Sequence, residues 1–255
     1  MKKTKIFTTL LLATTLSVAM AHGGGGRGPG AGMGHGGTTT PDTTPTDTSV
    51  LEPLDDLEVE ELLFMRAEEK LARDVYQTLY EQWGARIFSN IARSEQRHMD
   101  SMKALIDKYG LEDPVTDDTN GVFKNADLAQ MYGDLVARGM TSLEEALRVG
   151  ALIEEVDIAD LDEAIIDSSH TDVVAAYENL EKGSRNHLRA FVRQLESLGV
   201  VYEPAIMDLE RFEAIVDSPT ERGGANGTGQ DTGHRGQTDT HPRILRCNRW
   251  GCRYF

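Results

Sequence analysis

Cysteine is nearly missing from this chain: Cys247 and Cys252 are the only two, and both stand close to the C-terminal end. The body of the chain therefore has no disulfide framework. The C-x4-C spacing matches no recognisable metal knuckle, and in an oxidising compartment the pair would close a small loop. Positive charge is also short. Lys and Arg number 26 against 42 Asp and Glu, a formal net charge of −16. That balance argues against a nucleic-acid partner, which calls for a basic face, and fits solubility and an affinity for cations. No alternating pattern is long enough to build a sheet, so the class is all-α.

The two ends do not read as folded core. Residues 1–21 begin with Lys2, Lys3 and Lys5, continue with an apolar run over 6–18 and close on Ala19-Met20-Ala21. That is the tripartite secretory signal with a small-residue cleavage site. The run is shorter than the ~20 residues needed to span a bilayer, so no membrane attachment is expected after cleavage. No cysteine follows it that would carry a lipid. The mature protein is expected to start near His22 and to be periplasmic or secreted. Residues 22–50 are rich in Gly, Thr and Pro without apolar periodicity and read as a disordered linker, with His22, Met33 and His35 as incidental groups. Residues 217–255 read as a disordered tail, leaving 51–216 as one domain of ordinary size.

Within 51–216 four long helical patterns are legible. The first should open at Asp55 or Asp56 and stop at Gly84, with a seam of Leu62, Met65, Glu69, Ala72, Tyr76, Leu79 and Trp83. Glu68 would replace Glu69 on that seam at a slightly different phase. The second follows after a few residues, so the two form an antiparallel hairpin. Its face carries Phe88, Ile91, Glu95, His98, Met102 and Leu105, and Gly110 and Pro114 end it. A long connection with a short helix over 126–138 leads to a third helix, opened by the capping box Ser142-Leu143-Glu144-Glu145. Its seam is Leu147, Ala151, Glu154, Ile158, Leu161 and Ile165, with Asp157 facing almost the same way as Glu154. Glu155 falls with Arg148 and Asp162 on the outer face, where it is expected to be solvated. The fourth runs from Thr171 or Asp172 to Leu198, with Val173, Tyr177, Leu180, Ser184, His187, Phe191 and Leu195 along its seam. Two hairpins joined by a crossover of roughly thirty residues suit a ferritin-like four-helix bundle better than a simple up-and-down one.

Each seam is broken near its middle by a charged or imidazole group. Glu95 and His98, three apart, leave the same face of their helix one above the other. The midpoints of hairpin helices lie at similar heights, so Glu69, Glu95, His98, Glu154, Asp157 and His187 can converge. Buried carboxylates and imidazoles are costly unless paired or bound to metal. Four carboxylates and two imidazoles are the complement that a pair of divalent ions requires.

Those same residues carry a resemblance. Glu69-Lys-Leu-Ala72-Arg73-Asp-Val-Tyr76 is similar to the first helix of rubrerythrin-type proteins, and Glu95-Gln-Arg-His98 to the Glu-x-x-His of the ferritin-like superfamily. The whole of 51–216 further resembles an uncharacterised bacterial and archaeal domain family placed in that superfamily, through 68–76, 91–98, Ile153-Glu-Glu-Val-Asp-Ile158 and 183–191. The resemblance implies two divalent metal ions, iron foremost and manganese or zinc otherwise. It implies an oxidase or peroxidase reaction of Fe(II) with O2 or peroxide, with Glu69, Glu95 and Glu154 capping or bridging the ions and His98 and His187 binding one each. Tyr76 and Tyr177 would lie one or two turns from the ligands and carry an electron. Without cysteine pairs in the domain, peroxidase turnover would draw on an external electron donor. The departure is on the fourth helix, where Ser184-Arg-Asn-His187 replaces Glu-x-x-His; Asp157 or Glu181 would have to supply the missing carboxylate. A metal buffer without turnover, or an interaction module whose polar seam fixes helix register, are the alternatives. A homodimer is compatible with either.

Overall fold

In the computed structural model, residues 51–222 are described. The signal-like segment, the linker over 22–50 and the cysteine pair of the tail lie outside them.

The described residues form six helices and no strand: α1 (Asp56–Trp83), α2 (Arg86–Lys108), α3 (Ala126–Gly139), α4 (Leu143–Asp167), α5 (Thr171–Ser197) and α6 (Leu209–Val216). None is long and apolar enough to cross a membrane. Local chemistry sets their ends. Asp55 caps α1 by accepting from the Leu57 and Glu58 backbone N–H groups, and Glu58 reaches back to the Asp55 N–H, completing a capping box. Gly84 then ends α1 at φ 63, a left-handed turn that glycine adopts without strain. With so short a link, α2 must fold back along α1. Ser142 caps α4 through the Glu145 N–H, and the three residues between α4 and α5 impose a second hairpin.

The four long helices pack α1 on α2, α4 on α5, α1 on α4 and α2 on α5, closing a ring. Its interior is divided. One apolar cluster gathers Tyr76, Leu79, Phe88, Ile91, Val149, Ile153, Phe191 and Leu195 at one end. The other gathers Leu62, Met65, Met102, Leu105, Leu161, Val173, Tyr177 and Leu180. Between them lies a polar layer to which each of the four helices contributes.

The outer side of α1 is covered as well. The crossover between α2 and α4 is held to it by ion pairs and hydrogen bonds. The buried Asp74 carboxylate accepts from Lys70 at 2.5 Å, Arg73 at 2.7 Å and the Gly121 N–H at 2.9 Å. Lys70 also donates to the Thr119 carbonyl and lies 4.4 Å from the centre of the Phe123 ring. Arg66 pairs with Asp113 at 3.2 Å.

Two features differ from what the seam patterns predict. Glu155 is not solvated: it is fully buried, because the chain after α5 folds back over that face of α4. Its carboxylate accepts from Tyr202 at 2.5 Å and from the backbone N–H groups of Ala205, Ile206 and Met207. Helix α6, absent from the four-helix reading, then packs Phe212 and Ile215 into the first cluster. Past Val216, Glu221 pairs with Arg185 at 2.7 Å and Arg189 at 2.8 Å.

Candidate metal centre

The polar layer is built around Glu95 on α2. Its Oε2 lies 2.7 Å from His98 Nδ1, one helical turn along, and its Oε1 lies 2.9 Å from His187 Nδ1 on α5. On the far side of His98, Glu69 Oε2 of α1 stands 3.3 Å from the same Nδ1. On the far side of His187, Glu154 Oε2 of α4 stands 3.3 Å from that Nδ1. Two groups result, Glu69–Glu95–His98 and Glu95–Glu154–His187, each with one ligand atom per residue within 4.8 Å of the others. They share Glu95. The two imidazoles are stacked with centroids 5.6 Å apart, and each group adds one carboxylate of its own. The three carboxylates are 2% exposed and the two imidazoles 9%.

The donor atoms are poorly satisfied by one another. Glu95 Oε1 and His187 Nδ1 face each other at 2.9 Å as an ion pair without good hydrogen-bond geometry, and Glu69 Oε1 has no hydrogen-bond partner. Buried polar atoms left so are rare and expensive. Carboxylate oxygens and imidazole nitrogens that converge in a buried layer with poor hydrogen-bond geometry are what a shared cation would satisfy. Carboxylate oxygen with imidazole nitrogen also suits iron, manganese and zinc. The residues present therefore fit the ions that the motif implies.

The electrostatics point the same way. Burial pushes the Glu69 carboxyl up to about 7, helped by Glu95 and opposed by His98. Burial would lift Glu95 too, but the His187 and His98 imidazoles hold it below the usual carboxylate range. In return, against the pull of burial, Glu95 and Glu154 raise His187 to about 10, and Glu69 and Glu95 raise His98 well above its ordinary value. Without metal the layer is neutralised by imidazolium; a divalent cation would take over that role.

The remaining predicted residues fall in different places. Tyr76 is fully buried beside the centre and donates to Glu154 Oε1 at 2.5 Å, with its ring against Phe191. Asp157 is buried, raised by burial and by Glu69 and Glu154. It accepts from Ser184 Oγ through one oxygen, while Oδ1 has no partner. It does not belong to either ligand group. Tyr177 lies in the second apolar cluster, ten residues and about 15 Å along α5 from His187. The carboxylates that act on its hydroxyl are Glu61 and Glu58. Glu181 is committed to Arg185, and Glu68 is buried outside both groups.

Two glycines, unweighed in the seam patterns, make room for side chains of the facing helices, one in the first apolar cluster and one in the layer. A Cβ on Gly150 would meet the Phe191 ring at 2.4 Å, and one on Gly183 would meet His98 Nε2 at 2.6 Å. The available signal was glycine in the middle of an otherwise unbroken helix, where it weakens the helix unless something packs close.

Fold and site together define an all-helical domain with buried Glu and His groups able to hold a metal ion. The chain belongs to the family described as "Uncharacterized protein domain (DUF2202)", which matches residues 58–219. It is 51% identical over 172 residues to "Uncharacterized protein MJ0754" of Methanocaldococcus jannaschii, covering 68% of this chain and 93% of that protein. Among solved structures it is similar to the crystal structure of the hypothetical protein MJ0754 from Methanococcus jannaschii. That likeness has a TM-score of 0.66 at 50% identity, over 67% of this chain and 97% of the other.

Proposed function

We propose that this is an exported ferritin-like protein whose centre binds two divalent ions, iron foremost, and oxidises Fe(II) with O2 or peroxide. The observation that carries the reading is the sharing of Glu95 between two buried Glu/His groups. One carboxylate set between two imidazoles and flanked by two further carboxylates is a plan for two ions. Glu69 and His98 would hold one, Glu154 and His187 the other, and Glu95 both. Asp157, presented by Ser184 with one oxygen free, would stand in for the carboxylate that Ser184 replaces on α5. Bound iron would supply the electrons that reduce the oxidant, and for peroxidase turnover an external donor would return them. The protein's own part is to exclude water, fix the ligand atoms and hold Glu154 by the Tyr76 hydroxyl.

The burial of all three ligand carboxylates favours one other reading, a metal-holding protein without turnover. One experiment separates the two. Metal-free protein is loaded with Fe(II) under nitrogen, then exposed to air or peroxide. The oxidase reading expects about two irons per chain, ferric absorption and consumption of oxidant. Bound iron with no oxidation beyond the rate in buffer establishes the holding protein. Failure to bind Fe(II), Mn(II), Zn(II) or Co(II) overturns both.

A further inference from the structure

Gly183 occupies the middle of α5, where an alanine would strengthen the helix. What it makes room for is His98. The His98 ring on α2 fills the volume of the missing side chain, so a Cβ at 183 would lie 2.6 Å from Nε2 and 2.7 Å from Cε1. The other imidazole is barely concerned, its Cε1 being 4.0 Å away, an ordinary contact. Restoring normal contact of about 3.5 Å would drive the His98 ring roughly 1 Å away from α5. Its freedom to move is limited: Nδ1 is set 2.7 Å from Glu95 and 3.3 Å from Glu69, and the ring stacks on His187. Metal–ligand distances tolerate only about 0.2 Å. A displacement of that size, carried through the ring to Nδ1, would take His98 out of its ligand group, while His187, only in ordinary contact with residue 183, would keep its own.

We propose that Gly183 sets the number of ions the centre holds: the bare backbone of α5 lets His98 complete the Glu69–Glu95–His98 group, and any side chain at 183 leaves Glu95–Glu154–His187 as the one working group. The inference rests on the two-ion reading above and deepens it. Gly183 is a positioning residue that acts through His98.

The test titrates metal-free protein with Co(II), followed by calorimetry and visible absorption. The native chain should take up two ions. Gly183→Ala should keep one at native affinity and bind the second at least about tenfold more weakly. Gly133→Ala in α3, where a Cβ meets nothing within 4 Å, should still take up two. Gly183→Ala/His98→Ala guards against a folding failure. With the imidazole gone the new methyl has space, so the double variant should melt above Gly183→Ala and hold one ion. Long-range nitrogen–proton spectra of the metal-free imidazoles give a readout that needs no metal: Gly183→Ala should move the His98 ring signals and leave those of His187. Two ions at native affinity in Gly183→Ala, equal weakening of both, or unmoved His98 signals would each overturn the proposal. Native protein that binds no Co(II) removes the two-ion reading, while the ring spectra still decide whether Gly183 places His98.

Discussion

At the scale of single residues, the ligands are not equivalent. Among the described residues Glu95 is the one carboxylate paired with both imidazoles, so Glu95→Ala should abolish binding of both ions. Glu69→Ala and Glu154→Ala should each remove one, as read by metal analysis after loading and desalting. Equal losses across the three variants would contradict a shared carboxylate. Tyr76 acts on the centre from behind: its hydroxyl orients Glu154, and its ring, packed 5.3 Å from Phe191, does not depend on that bond. Tyr76→Phe should therefore keep the fold and both ions while weakening the His187 group about 10- to 100-fold, the usual cost of losing a partner that orients a ligand. Competition with a chelator of known affinity measures it. These side chains were legible because a charge inside an apolar stripe is conspicuous at helical spacing. Tyr177 shares that spacing, but periodicity reports which face a residue occupies and not its height along the helix. Its place on α5 is ten residues, nearly three turns, from His187. The Ser184–Asp157 bond joins two helices and leaves no mark in either pattern.

At the scale of elements, the junction of α1 with the α4–α5 turn is gathered on the Glu58 carboxylate. Glu58 accepts from His170 Nδ1 at 2.8 Å and from the Ser169 N–H at 2.7 Å. Burial alone would raise the Glu58 carboxyl, but His170, the Asp55 and Ser169 N–H groups and Ser168 hold it at about 2, below its ordinary 4.5. A lowered carboxyl stabilises the fold above pH 4.5, and that contribution is lost as pH falls through about 2. The hydrogen bond to Glu58 raises His170 above its ordinary 6.5, so its contribution is complete below 6.5 and lost as pH climbs through the raised value. The clamp is thus fully made between about 4.5 and 6.5. Urea melts from pH 2 to 9 should show native and Glu58→Gln proteins furthest apart in that window and converging at the acid end. A constant difference would mean that the pair carries no charge effect.

Glu155 makes the other junction. Glu155→Ala strands the Tyr202 hydroxyl and the Ala205–Met207 N–H groups, at about 1–3 kcal/mol for each group left buried. The 202–216 segment should exchange its amide hydrogens faster while the number of bound ions stays the same. Helix ends were readable from caps and glycines because those signals are local. Covering of the outer face of α4 was not, since the loop that covers it has no period of its own. Asp208 followed by Leu209, Phe212 and Ile215 does carry a cap and a stripe, but over eight residues, too few to stand out.

At the scale of the whole molecule, the polar layer separates two apolar clusters that would otherwise join, so metal-free protein is expected to be weakest at its middle. Ions bound there stabilise the fold by mass action, about 2.7 kcal/mol for each site at a hundredfold excess over Kd. A domain of this size gains about 2–4 °C per kcal/mol, so two ions should raise Tm by roughly 10–20 °C. The effect must depend on acidity with a definite sign. His98 and His187 are raised above their ordinary pKa by Glu69, Glu95 and Glu154, against the pull of burial. They hold protons in metal-free protein and must release them to bind. Loading should liberate protons, measurable as a dependence of the calorimetric heat on the ionisation enthalpy of the buffer, and affinity should rise with pH. Glu95→Ala should show neither the thermal shift nor the proton release, and a chelator should reverse both in the native chain. A metal-dependent rise in Tm that survived in Glu95→Ala would place the ions elsewhere on this acidic protein.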